Sequence, residues 1–165
     1  MKNKLRNIYL RVIFFVLESF VSVISKWDKK LQKELSVLNS GWSFSLETLN
    51  DHKNKLNLIY NGKTFIPSKD KADLRFIFKH PKFTFWTMSF QENTFVSFSR
   101  ERMIIEGDTD HALLIVRVLG RVQSILLPKM LSPLAVRKWD GVGIIKKITY
   151  FALVFFNLIK RIIFK

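Results

Sequence analysis

Cysteine is absent from the 165 residues, which excludes a disulfide framework and a thiolate zinc site and suits a reducing compartment. Histidine is nearly as scarce. His52, His80 and His111 stand far apart without the spacing of a ligand set, so neither a metal nor a cofactor is expected. Proline and glycine number four and six, and none falls between Lys2 and Leu35, so that stretch is free to run as helix. Long uninterrupted apolar runs are also missing. A helix that crosses a bilayer needs roughly 20 mostly apolar residues; Arg11 and Glu18 interrupt the first candidate, and the second offers only the twelve uncharged residues Ile148 to Ile159.

Acids are the last scarcity, with 13 Asp and Glu against 28 Lys and Arg, a net charge of +15. Residues 1–35 carry +5, residues 127–165 carry +7, and the longer middle only +3. Both cationic ends are rich in Leu, Ile, Val and Phe. That combination suits an anionic lipid surface, where each Lys or Arg adds roughly 1 kcal/mol to the burial of apolar area. Nucleic-acid binding would want basic residues interleaved with exposed aromatics on the folded middle, and the middle has little net charge. It is ranked below lipid binding.

In the first arm Lys4, Arg11, Glu18, Ser22, Ser25, Lys29 and Lys33 recur at intervals of three, four or seven, a narrow polar stripe on a helix. The remaining face is wide and apolar, and Phe14, Phe15 and Phe20 are its candidate membrane contacts. A helix lying in the interface is favoured over one that spans, an uncleaved signal anchor, or a helix packed on the core. No small-residue cleavage site follows the apolar run. In the last arm, Pro128, Pro133, Gly141 and Gly143 break the chain around a short helical piece, 132–139. A helix resumes at Ile144, with Phe151, Phe155 and Phe156 expected at the acyl boundary. Lys160 and Arg161, with Lys146, Lys147 and Lys165, would snorkel outward.

Between the arms the periodicity changes to two. Trp42, Phe44 and Leu46 alternate with Ser43, Ser45 and Glu47, and Leu56, Leu58 and Tyr60 alternate with Lys55, Asn57 and Ile59; Asn61-Gly62 then gives a hairpin turn into Lys63 to Ile66. Ala72 to Lys79 and Arg102 to Glu106 supply two further strands. An aromatic stretch starting near Pro81 should form one or two helical turns, and a buried helix should run from about Thr109 to Leu126. Glu106, Asp108, Asp110 and His111 crowd together, which raises an acid/base or metal cluster. Helix capping by Asp108 and a favourable dipole position for Asp110 explain the acids without chemistry.

The run Ala72-Asp73-Leu74-Arg75-Phe76-Ile77-Phe78-Lys79, an aromatic helical stretch, then Phe98-Ser99-Arg100-Glu101-Arg102-Met103-Ile104-Ile105-Glu106-Gly107-Asp108-Thr109 followed by a helix, resembles the sterol carrier protein type two family. The resemblance covers about residues 42–127 and is nearest to bacterial members that act as accessory lipid carriers in ubiquinone biosynthesis. It implies an α+β fold, a sheet of about five strands covered on one face by helices, to which the charge and spacing of the ends add amphipathic helices at both termini. With the arms read from charge and spacing, the expected organisation is an N-terminal membrane-associating helix (1–36), a lipid-binding domain (37–130) and a basic C-terminal arm (131–165). The family's apolar tunnel implies lipid carriage without catalysis, and ligands that are prenyl, acyl or sterol chains. Phe76, Phe78, Phe83, Trp86, Phe90, Phe98, Ile105, Leu113 and Val116 are the inward candidates to line it. The expected partners are anionic membrane lipids and ubiquinone-biosynthesis enzymes, at the cytoplasmic side of an inner membrane. The bulk of Phe83 to Phe90 leaves an alternative, a structural subunit of a lipid-handling complex with a filled pocket.

Overall fold

The computed structural model describes residues 2–89, 91–127 and 143–163; Phe90, Lys165 and the helical piece expected at 132–139 lie outside them. The first apolar stretch forms α1 (Lys2–Trp27), and Asp28 turns the chain into α2 (Lys29–Leu35). The turn is made by one carboxylate, whose Oδ1 accepts from the amides of Lys30 (3.0 Å) and Leu31 (3.2 Å), satisfying donors that open a helix.

Five strands follow, β1 (Ser43–Thr48), β2 (Asp51–Tyr60), β3 (Phe65–Pro67), β4 (Leu74–Phe78) and β5 (Met103–Gly107). They lie in the order β3-β2-β1-β4-β5. All pairs are antiparallel except β1–β4, which is parallel. The Asn-Gly hairpin forms where expected. Asn61 Oδ1 accepts from the amides of Lys63 and Thr64, and Gly62 takes φ +84°. Strand β2 starts earlier than its alternation indicates, because Asn50 at φ 60° turns β1 directly into it.

Parallel pairing of β1 with β4 needs a crossover. Residues 68–73 supply it across the sheet face away from the helices. Asn57 Nδ2 donates to Asp70 O, and Asp73 Oδ2 accepts from the amide and hydroxyl of Ser43. That same face carries an ion ladder, Lys55–Glu47–Arg75–Glu106, with Arg75 2.6 Å from Glu47 and 2.8 Å from Glu106.

The opposite face is the core. Phe44, Leu46, Leu58, Phe65, Leu74, Phe76 and Phe78 are essentially inaccessible there. They pack against α1 and against α5 (Ala112–Leu126), which a short 3₁₀ turn at Thr109–His111 leads into. Two short helices, α3 (Pro81–Met88) and α4 (Thr94–Ser99), fill the connection from β4 to β5. The last helix, α6 (Ile144–Ile163), lies along α1. The fold is thus α+β, a five-stranded mixed sheet with helices on one face and at both ends of the chain.

Helix α1 contributes Leu10, Phe14, Leu17, Phe20, Val21 and Ile24 to this core. Phe14 and Phe20, expected on a lipid-facing surface, are 3% and 2% exposed. Part of the stripe that spacing marks as water-facing is also internal. Ser25 Oγ lies 2.9 Å from Thr64 Oγ1 and accepts from the Phe65 amide, so it pins the β2–β3 hairpin.

Candidate lipid-interaction surface

Helix α6 is two-sided, and its inner side is anchored at three levels. Lys147 Nζ donates to the Leu127 carbonyl at 2.7 Å, and Val154 is 2% exposed among core residues. Arg161 lies 3.1 Å from Glu18 Oε1, donates to Ser19 Oγ, and sits 4.8 Å over the Phe15 ring. Phe151 meets Phe20 edge-on at 5.4 Å. Burial pushes the Tyr150 phenol up, and the nearby Asp28 carboxylate adds to the shift.

Asp28 is itself buried and ties four elements together. Its Oδ2 lies 3.0 Å from both Nε and Nη2 of Arg121 on α5, in addition to capping α2 after α1. Through Tyr150 its field reaches α6.

The outer side of α6 is apolar. Ile145, Phe155 and Phe156 are 82%, 61% and 69% exposed, with Ile144, Ile148, Phe151 and Ile163 also open to solvent. Exposed Lys146 and Lys160 border this strip, and residues 144–163 contain no acid. A second exposed strip, Leu5, Ile8 and Val12, lies on the N-terminal half of α1 beside exposed Lys4 and Arg11. Apolar surface of this extent normally marks a partner or a membrane. Helix α1 is also long and apolar enough to cross a membrane by composition, but half of that window is buried, which is equally the signature of a core helix.

Of the candidate lining residues that are described, Phe76, Phe78, Phe83, Ile105 and Val116 meet in or against one core cluster, whereas Trp86, Phe98 and Leu113 lie outside it. Phe76 and Phe78 are packed at 0% exposure inside the sheet–helix layer, with Ile105 and Val116 partly buried against it. Phe83 and Trp86 sit on α3 under the Arg102 guanidinium. Phe98 and Leu113 are 48% and 69% exposed, so they point out of the core. Their elements were read correctly, but on short or one-sided helices the inward direction depends on neighbours that periodicity does not show.

Two carboxylates of the acidic turn after β5 are held by neighbours in the fold. Asp108 makes no capping hydrogen bond; its Oδ2 accepts from Trp42 Nε1 at 2.8 Å and meets His111 Nδ1 at 2.7 Å. These two bonds, Trp42 first, hold its carboxyl below the usual carboxylate range. Glu106 belongs to the ion ladder. Among the described residues no group of His, Asp and Glu is arranged to hold a metal ion.

No family model matches the chain, and no curated protein does. Among solved structures, one described as a UbiJ-SCP2 ubiquinone synthesis protein superposes with a TM-score of 0.50 at 13% identity, over 67% of this chain and 96% of that one. By this superposition the chain has the α+β fold of that UbiJ-SCP2 ubiquinone synthesis protein.

Proposed function

We propose that this chain is a non-catalytic, lipid-handling accessory protein held peripherally on an anionic membrane by the outer face of α6. Its sterol-carrier-type domain would handle hydrophobic chains of the isoprenoid quinone kind and present them to biosynthetic enzymes at the cytoplasmic face of an inner membrane. The observation that carries the reading is the exposed Ile and Phe strip of α6, bordered by lysines and free of acids. A side chain of this size gains about 1.5–3 kcal/mol on leaving water, and the lysines reach headgroup phosphates from the same helix. Lipid chains bind by apolar area at about 0.8 kcal/mol per methylene, which needs no charged partner in the protein.

A second reading keeps the fold but fills the pocket. The fully buried Phe44, Phe65, Phe76 and Phe78 favour it, with α6 then covering a helix of another protein in a lipid-handling complex.

Co-sedimentation of the full chain with phosphatidylglycerol-containing vesicles, followed by mass spectrometry of lipid that copurifies, tests the proposal. Binding lost in Phe155→Ser/Phe156→Ser, with a prenyl or acyl lipid recovered, supports it. A chain that stays in the supernatant of anionic vesicles and carries no lipid refutes it.

A further inference from the structure

The corner where α3 and α4 meet β5 holds a cavity of about 400 Å³, lined by Trp86, Glu92, Asn93, Val96, Arg100 and Arg102 among others. That is within the range of small-molecule sites, roughly 300–1,000 Å³. Its chemistry is unlike that of the apolar core. Glu92 is 7% exposed, and its Oε2 is paired with Arg102. Its Oε1, equally buried, has no hydrogen-bond partner. Arg100 approaches that oxygen only to 3.7 Å and keeps 61% of its side chain exposed at the cavity mouth.

Cations outnumber acids in this group. Arg102 lies 5.0 Å from the centre of the Trp86 ring, and with Arg100 it stands against the one carboxylate that lines the cavity, Glu92. A buried carboxylate oxygen without a donor is costly, and an arginine at the mouth of a positive cleft favours an anion. An occupant that meets both needs carries a negative group for Arg100 and a hydroxyl that donates to Glu92 Oε1. A hydrocarbon chain meets neither.

We infer that this cleft is a binding site for a small hydroxylated anion of the glycerol phosphate class, either free or as the headgroup of a lipid. The phosphate sits at Arg100, with Arg102 as the second cation lining the cavity. A neighbouring hydroxyl reaches the buried Glu92 Oε1 once the exposed Arg100 side chain, 3.7 Å from that oxygen, swings to the phosphate, and the cavity is large enough for both. The site lies apart from the outer face of α6, so it does not depend on membrane docking by that helix.

The test is titration of the full chain with sn-glycerol 3-phosphate, followed by heat and by tryptophan fluorescence. Saturable binding is expected, weaker with inorganic phosphate, which lacks the hydroxylated stem, and absent with glycerol, which lacks the charge. Arg100→Gln should weaken it about tenfold, the scale of one charged hydrogen bond. Its exposed side chain lets melting temperature stay unchanged. If the headgroup is the source, the variant also binds phosphatidylglycerol vesicles less well than phosphatidylserine vesicles of equal charge. If the free anion is, the variant loses equally on both. No saturable signal at millimolar ligand, or binding indifferent to Arg100→Gln, overturns the inference. Loss of vesicle binding in Phe155→Ser/Phe156→Ser, which reports on α6, is a separate result.

Discussion

Gly107 closes β5 at φ +92°, and a Cβ built there would lie 1.9 Å from the carbonyl oxygen of Asp73. That carbonyl also accepts from the Asp108 amide at 2.9 Å, so neither strand can move away cheaply. Positive φ and backbone contact act together. Gly107→Ala is expected to destabilise by about 3 kcal/mol, read as a lower urea midpoint with an unchanged slope. Gly143→Ala is the control, since a Cβ there meets nothing within 4 Å, and it should stay within about 0.5 kcal/mol of the parent. Asp108, one residue on, gives a pH signature. Its folded pKa is lowered by Trp42 and His111, so its contribution is fully present above about pH 5 and fades as pH falls below about 3.9 through the lowered value. The group is a third exposed, and solvent screening keeps the effect small. Melting temperatures of the parent and Asp108→Asn should differ at pH 7 and converge toward pH 2; a gap that stays constant would show that the carboxylate charge contributes nothing.

The elements were legible wherever period and punctuation agreed. Alternation and the Asn-Gly turn located the strands, and the apolar run after Thr109 located α5, because side-chain period is a local property. What α1 faces was not legible. Its wide apolar surface fits lipid and a deep core equally well, and the decision comes from β2, β3, α5 and α6 packing along α1. The cleft at Glu92 left no sequence signal, since its residues come from two short helices, the loop between them and the residues that follow α4. Helix α6 reads oppositely to α1, with one narrow buried ridge at Val154 and a broad exposed side. Docking by so narrow a ridge can be undone locally. Val154→Asp would bury an unpaired carboxylate, a cost of several kcal/mol against the roughly 2 kcal/mol that burying one valine supplies. The expected result is fast amide exchange in residues 144–163 with protection retained in β1, β2 and β4. Equal loss of protection in the sheet would make α6 part of one cooperative unit with it.

At the scale of the whole molecule, the net charge of +15 and the apolar strip of α6 act over different ranges, and salt separates them. Coulombic attraction to an anionic bilayer reaches about 10 Å at 0.1 M ionic strength and about 3 Å at 1 M, whereas burial of Phe and Ile does not weaken with added salt. Each lysine near the surface supplies roughly 1 kcal/mol, so Lys146→Glu/Lys160→Glu, which replaces two attractions with two repulsions, should lower vesicle affinity at least about thirtyfold at low salt. In 1 M salt the same variant should bind nearly as the parent does. Phe155→Ser/Phe156→Ser should show the converse, a loss of about a hundredfold or more that persists at both salt concentrations. Both pairs include exposed residues and neither pair touches the buried side of α6, so melting temperatures should hold. If the two variants instead lose affinity in parallel at every salt concentration, charge and apolar surface are not separable contributions of one helix lying on a bilayer, and α6 is seated in a protein groove where both are read together.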